Sequence, residues 1–507
     1  MKKSLAVALI ALALAPSLLA RTKPAPTAPG KYKEWGRDID EIEIVKPLKL
    51  SDYDKLVVLP FDTSATPLPD KSEKSYNTIK SVLAGYSLTL TEALKPELKA
   101  KLDVDPGAVG FDEQRLQRID AHFRRYVDDG RLPGWQVMVS RRGKVAHLSS
   151  YGLADKEAGR AVEPDTIFRI YSMTKPVTSV AAMMLWEEGA LELNDPISKW
   201  LPEFADMRVY VAGSAAKPVT VPATEPVRVW HLLTHTAGLT YGFHHVHVTD
   251  EIYRNAGFEF GNPRGFDLAQ CVETWAALPL AFNPGSEWLY SVATDVLGRL
   301  VEVVSGQPLD RFFADRIFVP LGMSDTGFHV EPDRQDRLAA LYAVSPGAPA
   351  PFRYDLLGDV VRKEPQWFSG GGGLASTTRD YTRFTWMLLR GGELEGQRLL
   401  SPRTVRYMTR NHLPGNQDLQ QFGRPLYAET RYDGIGFGLG FAVNVDAAAG
   451  KIITSEGEFN WGGLASTSFW VDPVEDMSVV FMTQLVPSST HNLRPQLRQL
   501  VYQALVD

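Results

Sequence analysis

The sequence predicts an α/β protein of the α+β kind: an antiparallel sheet flanked by helices, with a mostly helical segment inserted between the two halves of the sheet. Three observations predict it. Near the start of the main body, Trp135 to Ser140 and Lys144 to Tyr151 read as two strands joined by a tight Arg141-Arg142-Gly143 turn. Near its end, Thr467 to Val471 and Met477 to Thr483 read as strands either side of Asp472-Pro473. Between them, residues of about 177 to 370 carry helical spacing broken by Pro and Gly loops. Strands at both chain ends with helices between them predict one shared sheet.

In chain order, the first twenty residues read as a secretory signal peptide. Lys2 and Lys3 form a positive region, Leu5 to Leu14 is an apolar core, and Ala20 offers a small residue for cleavage. That core is too short to span a bilayer. Arg21 to Gly30, rich in Pro, Thr and Ala, reads as a linker. Residues 21–107 as a whole form an extension of unknown role, either a small accessory domain or an arm. Within it Leu56 to Leu59 suggests a strand and Ser81 to Leu98 a helix. The main body is expected over 108–507. It opens with an amphipathic helix marked by Leu116, Ile119, Phe123 and Tyr126, stopping at Gly130, and closes with a helix from Leu493 to Leu505.

Composition excludes some classes. The 507 residues carry 54 basic and 60 acidic side chains, a net charge of −6, which lacks the basic surplus of a nucleic-acid binder. The one cysteine, Cys271, makes no intrachain disulfide, so an exported chain must rely on its core alone. Cys271 sits in an apolar helical stretch and reads as packed rather than catalytic.

The chemistry starts at Ser172-Met173-Thr174-Lys175. A serine hydroxyl is almost fully protonated at neutral pH and needs a base within hydrogen-bond reach. Residues three apart share a helix face, so Lys175 can sit over Ser172. Thr178, Ala181, Met184 and Leu185 continue that helix, Gly189 stops it, and Pro176 fits only in its first turn. This puts Ser172 at a helix N-terminus, where free N–H groups favour developing negative charge. Tyr290-Ser291 follows a loop rich in Asn, Pro and Gly and leads into a helix. A phenol beside a lysine can lose its proton below its usual pKa and so take one from Ser172; the alternative is a tyrosine that packs a core. Trp461-Gly462-Gly463 precedes a strand, and two glycines before an edge strand allow close approach of a ligand.

Ser172-x-x-Lys175, Tyr290-Ser291 and Trp461-Gly462-Gly463 together resemble, in order and spacing, the serine β-lactamase and penicillin-binding-protein superfamily. Leu233-Thr234-His235-Thr236-Ala237-Gly238-Leu239 and Gly370-Gly371-Gly372-Gly373-Leu374 are similar to loops of its class C-like branch. The resemblance covers about residues 108 to 507. Two departures matter. The usual Tyr-x-Asn has Val292 in its third place, and Trp461-Gly462-Gly463 fills the place of Lys-Thr-Gly. The missing lysine would bind a substrate carboxylate, so strongly anionic substrates are disfavoured. These forms are similar to the family VIII carboxylesterases.

The resemblance implies Ser172 as nucleophile and Lys175 and Tyr290 as its activators. It implies an oxyanion donor at the Leu464 N–H, with Trp461, Gly462 and Gly463 shaping the substrate side. The expected function is an exported serine hydrolase, periplasmic or secreted, that cleaves short-chain carboxylic esters through an acyl-enzyme. A β-lactamase, a D,D-peptidase or D-aminopeptidase, or an acyltransferase on the same fold are the alternatives. A non-catalytic envelope-binding protein is the reading from another class. The expected partner is a small-molecule ester or lactam, with no nucleic acid, no cofactor and no stable membrane insertion after signal removal.

Other motifs are weaker. His231 and His235 have the spacing of zinc ligands on a helix, but Leu232 stands where a metalloprotease needs glutamate. His244, His245 and His247 are read as lining the cleft entrance rather than holding a metal. The four glycines from Gly370 do not make a nucleotide fingerprint. No Gly-x-Ser-x-Gly elbow is present, which argues against the α/β-hydrolase fold.

Overall fold

Strand Gly134–Arg141 (β1) is buried along its whole length, so it lies in the middle of a sheet covered on both faces. It pairs antiparallel with Lys144–Asp155 (β2) through a turn in which Arg142 and Gly143 both have positive φ, the geometry of a hairpin. Its other neighbour comes from the far end of the chain. Arg160–Ala161 (β3), Ile435–Phe437 (β4), Ala442–Asn444 (β5), Phe459–Gly462 (β6), Ser468–Asp472 (β7) and Met477–Thr483 (β8) complete an eight-stranded sheet in the order β4-β5-β6-β7-β8-β1-β2-β3. Along the junction Trp135 faces Thr483 and Arg141 faces Met477, all antiparallel. The sheet shared between the two chain ends is therefore present.

The computed structural model describes residues 104–507, apart from Phe260, Asn262, Arg264 and residues 346–349, together with two strands nearer the amino terminus. The chain divides into two units, Met1–Asp103 and Val104–Asp507. In the first, Gly30–Lys33 pairs antiparallel with Glu41–Ile44. The signal segment, the linker before Gly30, the strand expected at Leu56 to Leu59 and the helix expected at Ser81 to Leu98 lie outside the described residues.

Alternation sorts the core into two layers. Met477, Val479 and Phe481 of β8 meet Trp135, Val137 and Val139 on one face. Helices Glu113–Asp128 (α1) and Leu493–Tyr502 (α5) close that face with Leu116, Ile119, Phe123, Leu497 and Val501. Val480 and Met482 point the other way, into the larger core. There helices Thr174–Glu187 (α2), Ala293–Ser305 (α3) and Thr378–Leu389 (α4) supply most of the partners. Every α2 residue from Thr174 to Leu185 is buried, so α2 is a central helix with no solvent face.

The segment 177–370 is less purely helical than expected. It contains a hairpin of Arg208–Ser214 and Lys217–Pro222. Only Val209 of its first strand is buried, while Val211, Val219 and Val221 are exposed, so β-branched residues here form a solvated ribbon. His231 and His235, whose spacing alone is that of zinc ligands, do not share one helix. The helix ends at Leu233, and His235 lies beyond it with φ of 56°. Cys271 is buried in helix Leu268–Ala277, packed as expected.

Candidate active site

Chain direction at Ser172 is set by strain. Tyr171, just before it, has φ of 42°, a left-handed conformation that costs a non-glycine residue about 1–3 kcal/mol. A single 3₁₀ turn, Tyr171–Met173, then runs into α2. Ser172 thus stands in the first turn ahead of α2, where N–H groups lack intrahelical acceptors. The turn is held from outside: the Tyr381 hydroxyl donates to the Met173 carbonyl at 2.8 Å, and Thr174 Oγ1 accepts from the Leu374 N–H at 3.1 Å.

Lys175 Nζ lies 3.3 Å from Ser172 Oγ and donates to the Gly371 carbonyl at 2.7 Å. The ammonium sits over the Tyr290 ring, 4.6 Å from its centroid, and 5.5 Å from that of Tyr241. Burial drops Lys175 to about 8, against the opposing pull of Asp295 and Glu429. The Tyr290 hydroxyl donates to Ser172 Oγ at 2.6 Å. The structure therefore brings Ser172, Lys175 and Tyr290, three residues from two distant segments, onto one oxygen atom.

The expectation of an acidified Tyr290 is corrected. Burial, and then the Glu429 carboxylate, hold its phenol well above the ordinary value, and the contacts with Ser172 and Trp461 only partly offset them. At neutral pH Tyr290 is a phenol, and Lys175, brought down to about 8, is the group that titrates closer to neutrality.

The third segment arrives from the sheet. The Trp461 ring stands edge-on to Tyr290, centroids 5.4 Å apart. Gly463 packs against Ile170, two residues before Ser172. A Cβ on Gly463 would collide with the Ile170 carbonyl oxygen and with Thr467 Oγ1, so only glycine fits. The expectation of an edge strand after the glycines is corrected as well: that strand, β7, lies fourth from the end of the sheet, and Trp461 and Gly462 themselves belong to β6. The outer neighbour of β6, β5, pairs only with Phe459 and Asn460, however, so Trp461 and Gly462 have no strand partner on that side. In the turn that follows, Gly463 N–H donates to Thr467 O at 3.0 Å and Ser466 N–H to Gly463 O at 2.9 Å. The Leu464 N–H has no acceptor among the described residues.

Sequence reasoning missed Asp295, Tyr241, Glu429 and Arg494. Asp295, on α3, accepts from Ser369 Oγ at 2.6 Å and from the Gly371 N–H at 3.0 Å. It thereby fixes the carbonyl that holds Lys175. Gly371 is required there, since any Cβ would strike the Asp295 carboxylate. Burial raises Asp295, while Lys175 lowers it. Tyr241 stands edge-on to Tyr290 at 5.2 Å and is held well above its usual value by burial. His244, expected at the cleft entrance, is buried and lies 2.8 Å from the Tyr290 carbonyl oxygen. His245 is an exposed partner of Glu259, and His247 caps helix Val248–Asn255. Glu429 is buried and paired with Arg494 at 2.6 Å. Of these, only the glycine run around Gly371 left a visible sequence signal.

An antiparallel sheet under a buried Ser-x-x-Lys helix, with a tyrosine on the same oxygen, defines a serine hydrolase of penicillin-recognising architecture. The chain belongs to the Beta-lactamase family, whose model matches residues 119–503. It is similar to Esterase EstB of Burkholderia gladioli, 34% identical over 403 residues, covering 75% of this chain and 93% of that protein. It is also similar to Protein Rv1367c of Mycobacterium tuberculosis, 38% identical over 378 residues, covering 73% of this chain and 90% of that protein. Among solved structures it is similar to EstCE1, a hydrolase with promiscuous acyltransferase activity. That match is 29% identical with a TM-score of 0.65, covering 77% of this chain and 99% of the other. Among the described residues no helix is long and apolar enough to cross a membrane.

Proposed function

We propose that this serine hydrolase cleaves short-chain carboxylic esters through an acyl-enzyme on Ser172. One observation carries the reading: Ser172 Oγ is within reach of both Lys175 Nζ and the Tyr290 hydroxyl. The neutral amine of Lys175 takes the proton as Oγ attacks the ester carbonyl. Tyr290, already bonded to Oγ, passes a proton to the departing alkoxide and recovers one from the Lys175 ammonium, so the acyl–oxygen bond breaks to give an alcohol and the amine is neutral again. The N–H groups of Ser172 and Leu464 bind the developing oxyanion; one such donor is worth about 3 kcal/mol of barrier. Water, deprotonated by the same base, then releases the acid and restores Ser172.

The ester preference is supported by Trp461, which puts an indole against Tyr290 where relatives of lactam chemistry carry a cation, and by the similarity to EstB. Transfer to an alcohol in place of water is a second reading, favoured by the likeness to EstCE1. Export belongs to the same proposal and rests on Lys2, Lys3 and the run Leu5 to Leu14; amino-terminal sequencing of the protein from a periplasmic extract tests it.

Ser172→Ala tests the function. The variant should stay folded and lose turnover of p-nitrophenyl butyrate, with no fluorophosphonate labelling. Retained turnover refutes the assignment. A higher kcat/KM for nitrocefin than for the ester moves the substrate class to lactams.

A further inference from the structure

Glu429 is 2% exposed, and the reaction above does not use it. Its carboxylate accepts from Tyr427 at 2.6 Å, from Ser488 at 3.0 Å and from Arg494 Nη2 at 2.6 Å. The same Arg494 nitrogen donates to the carbonyls of Gly463 at 3.2 Å and Thr467 at 3.1 Å. The guanidinium therefore lies one residue from the Leu464 N–H, on the turn that brings that donor to Ser172. Glu429, Arg494, Tyr427 and Ser488 line a cavity of about 380 Å³. Ser172 does not line it; the connection to the nucleophile runs through Gly463 and through the ring contacts Tyr427–Phe243, Phe243–Tyr241 and Tyr241–Tyr290.

A guanidinium beside an oxyanion turn is a ready binding group for a second carboxylate, because its planar fork matches one. Here both arms of the fork are already taken by Glu429, Nη2 by its buried carboxylate and Nη1 by its main-chain carbonyl. We propose that Glu429 is a specificity-determining residue: it takes the place of a substrate carboxylate on Arg494 and so makes the enzyme discriminate against anionic esters. An incoming carboxylate must displace Glu429 or stand beside it unpaired, and an unpaired buried charge is strongly unfavourable. A neutral acyl chain meets a paired, electrically closed wall. The inference rests on the serine hydrolase reading of the site and names the charge class of its substrate.

The test compares p-nitrophenyl butyrate with the mono-p-nitrophenyl ester of succinate, which differs by one carboxylate. The wild type should favour butyrate by at least ten-fold in kcat/KM. Glu429→Gln should move that ratio at least ten-fold toward succinate, through KM for the anionic ester. The double variant Glu429→Gln/Arg494→Gln should lose that gain. A merely structural role would change both esters alike and leave the ratio within two-fold, which overturns the proposal. A wild type that favours succinate overturns it without any variant, so a failure of Glu429→Gln to fold does not protect it. If the wild type turns over neither ester and Ser172 resists a fluorophosphonate, the hydrolase reading falls, and this inference with it.

Discussion

With Lys175 as the proposed base, the activity should depend steeply on pH. The amine is buried between two tyrosine rings, and burial brings it from 10.5 down to about 8. Only the neutral amine can accept the Ser172 proton, so the sign is fixed: activity should be present above about 8 and be lost as pH falls below it. About half of the enzyme is competent at pH 8, about a tenth at pH 7 and about a hundredth at pH 6. kcat/KM should therefore fall about fifty-fold between pH 8 and pH 6, approaching ten-fold per unit. The assay is initial-rate hydrolysis of a neutral ester in a pH-stat, at substrate far below KM, with circular dichroism at each pH. Asp295→Asn supplies the internal control. Asp295 opposes the burial effect on Lys175, so its removal should move the inflection to lower pH. A flat profile between pH 6 and pH 8 refutes Lys175 as the base, and an inflection in the Asp295 variant that moves upward refutes the electrostatic account.

Two further outcomes follow from the geometry. Tyr290→Phe keeps the ring contacts with Trp461, Trp288 and His235 but removes the 2.6 Å bond to Ser172. kcat/KM should drop by about 10²–10⁴, or about 3–5 kcal/mol, with little change in melting temperature; a loss under ten-fold would make Tyr290 a packing residue. Gly463→Ala forces a methyl into the Ile170 carbonyl and Thr467. It should cost about 1–3 kcal/mol of stability and lower kcat more than KM, and an unchanged unfolding midpoint in urea would contradict the close approach.

The parts of the fold that were legible had strong periods. The hairpin β1–β2, strand β8 and helices α1, α2 and α5 all bury one or both faces, so apolar spacing reports them. The hairpin at 208–222 was missed although Val209 and Val211, and Val219 and Val221, alternate along it; it buries almost nothing, so its valines do not mark a core face. Ser172 and Lys175 were legible as a pair because they are three apart on one turn. Asp295, Tyr241, Glu429 and Arg494 were not, since each acts through a partner dozens or hundreds of residues away. The acidity of Tyr290 was misjudged for a related reason. A neighbouring cation is visible in a spacing argument, but the burial that outweighs it is a property of the assembled core.

β1 must wait more than three hundred residues for β8, and Arg141 at the end of β1 closes its ion pairs only with Glu475 and Asp507. Until those late residues are available, the sheet lacks its middle, and Gly463 has not reached Ile170. A nascent or truncated polypeptide thus carries the serine and the lysine but no assembled cleft. Hydrolytic competence should therefore arrive only with the last strands, so a chain caught partway through synthesis should be chemically silent.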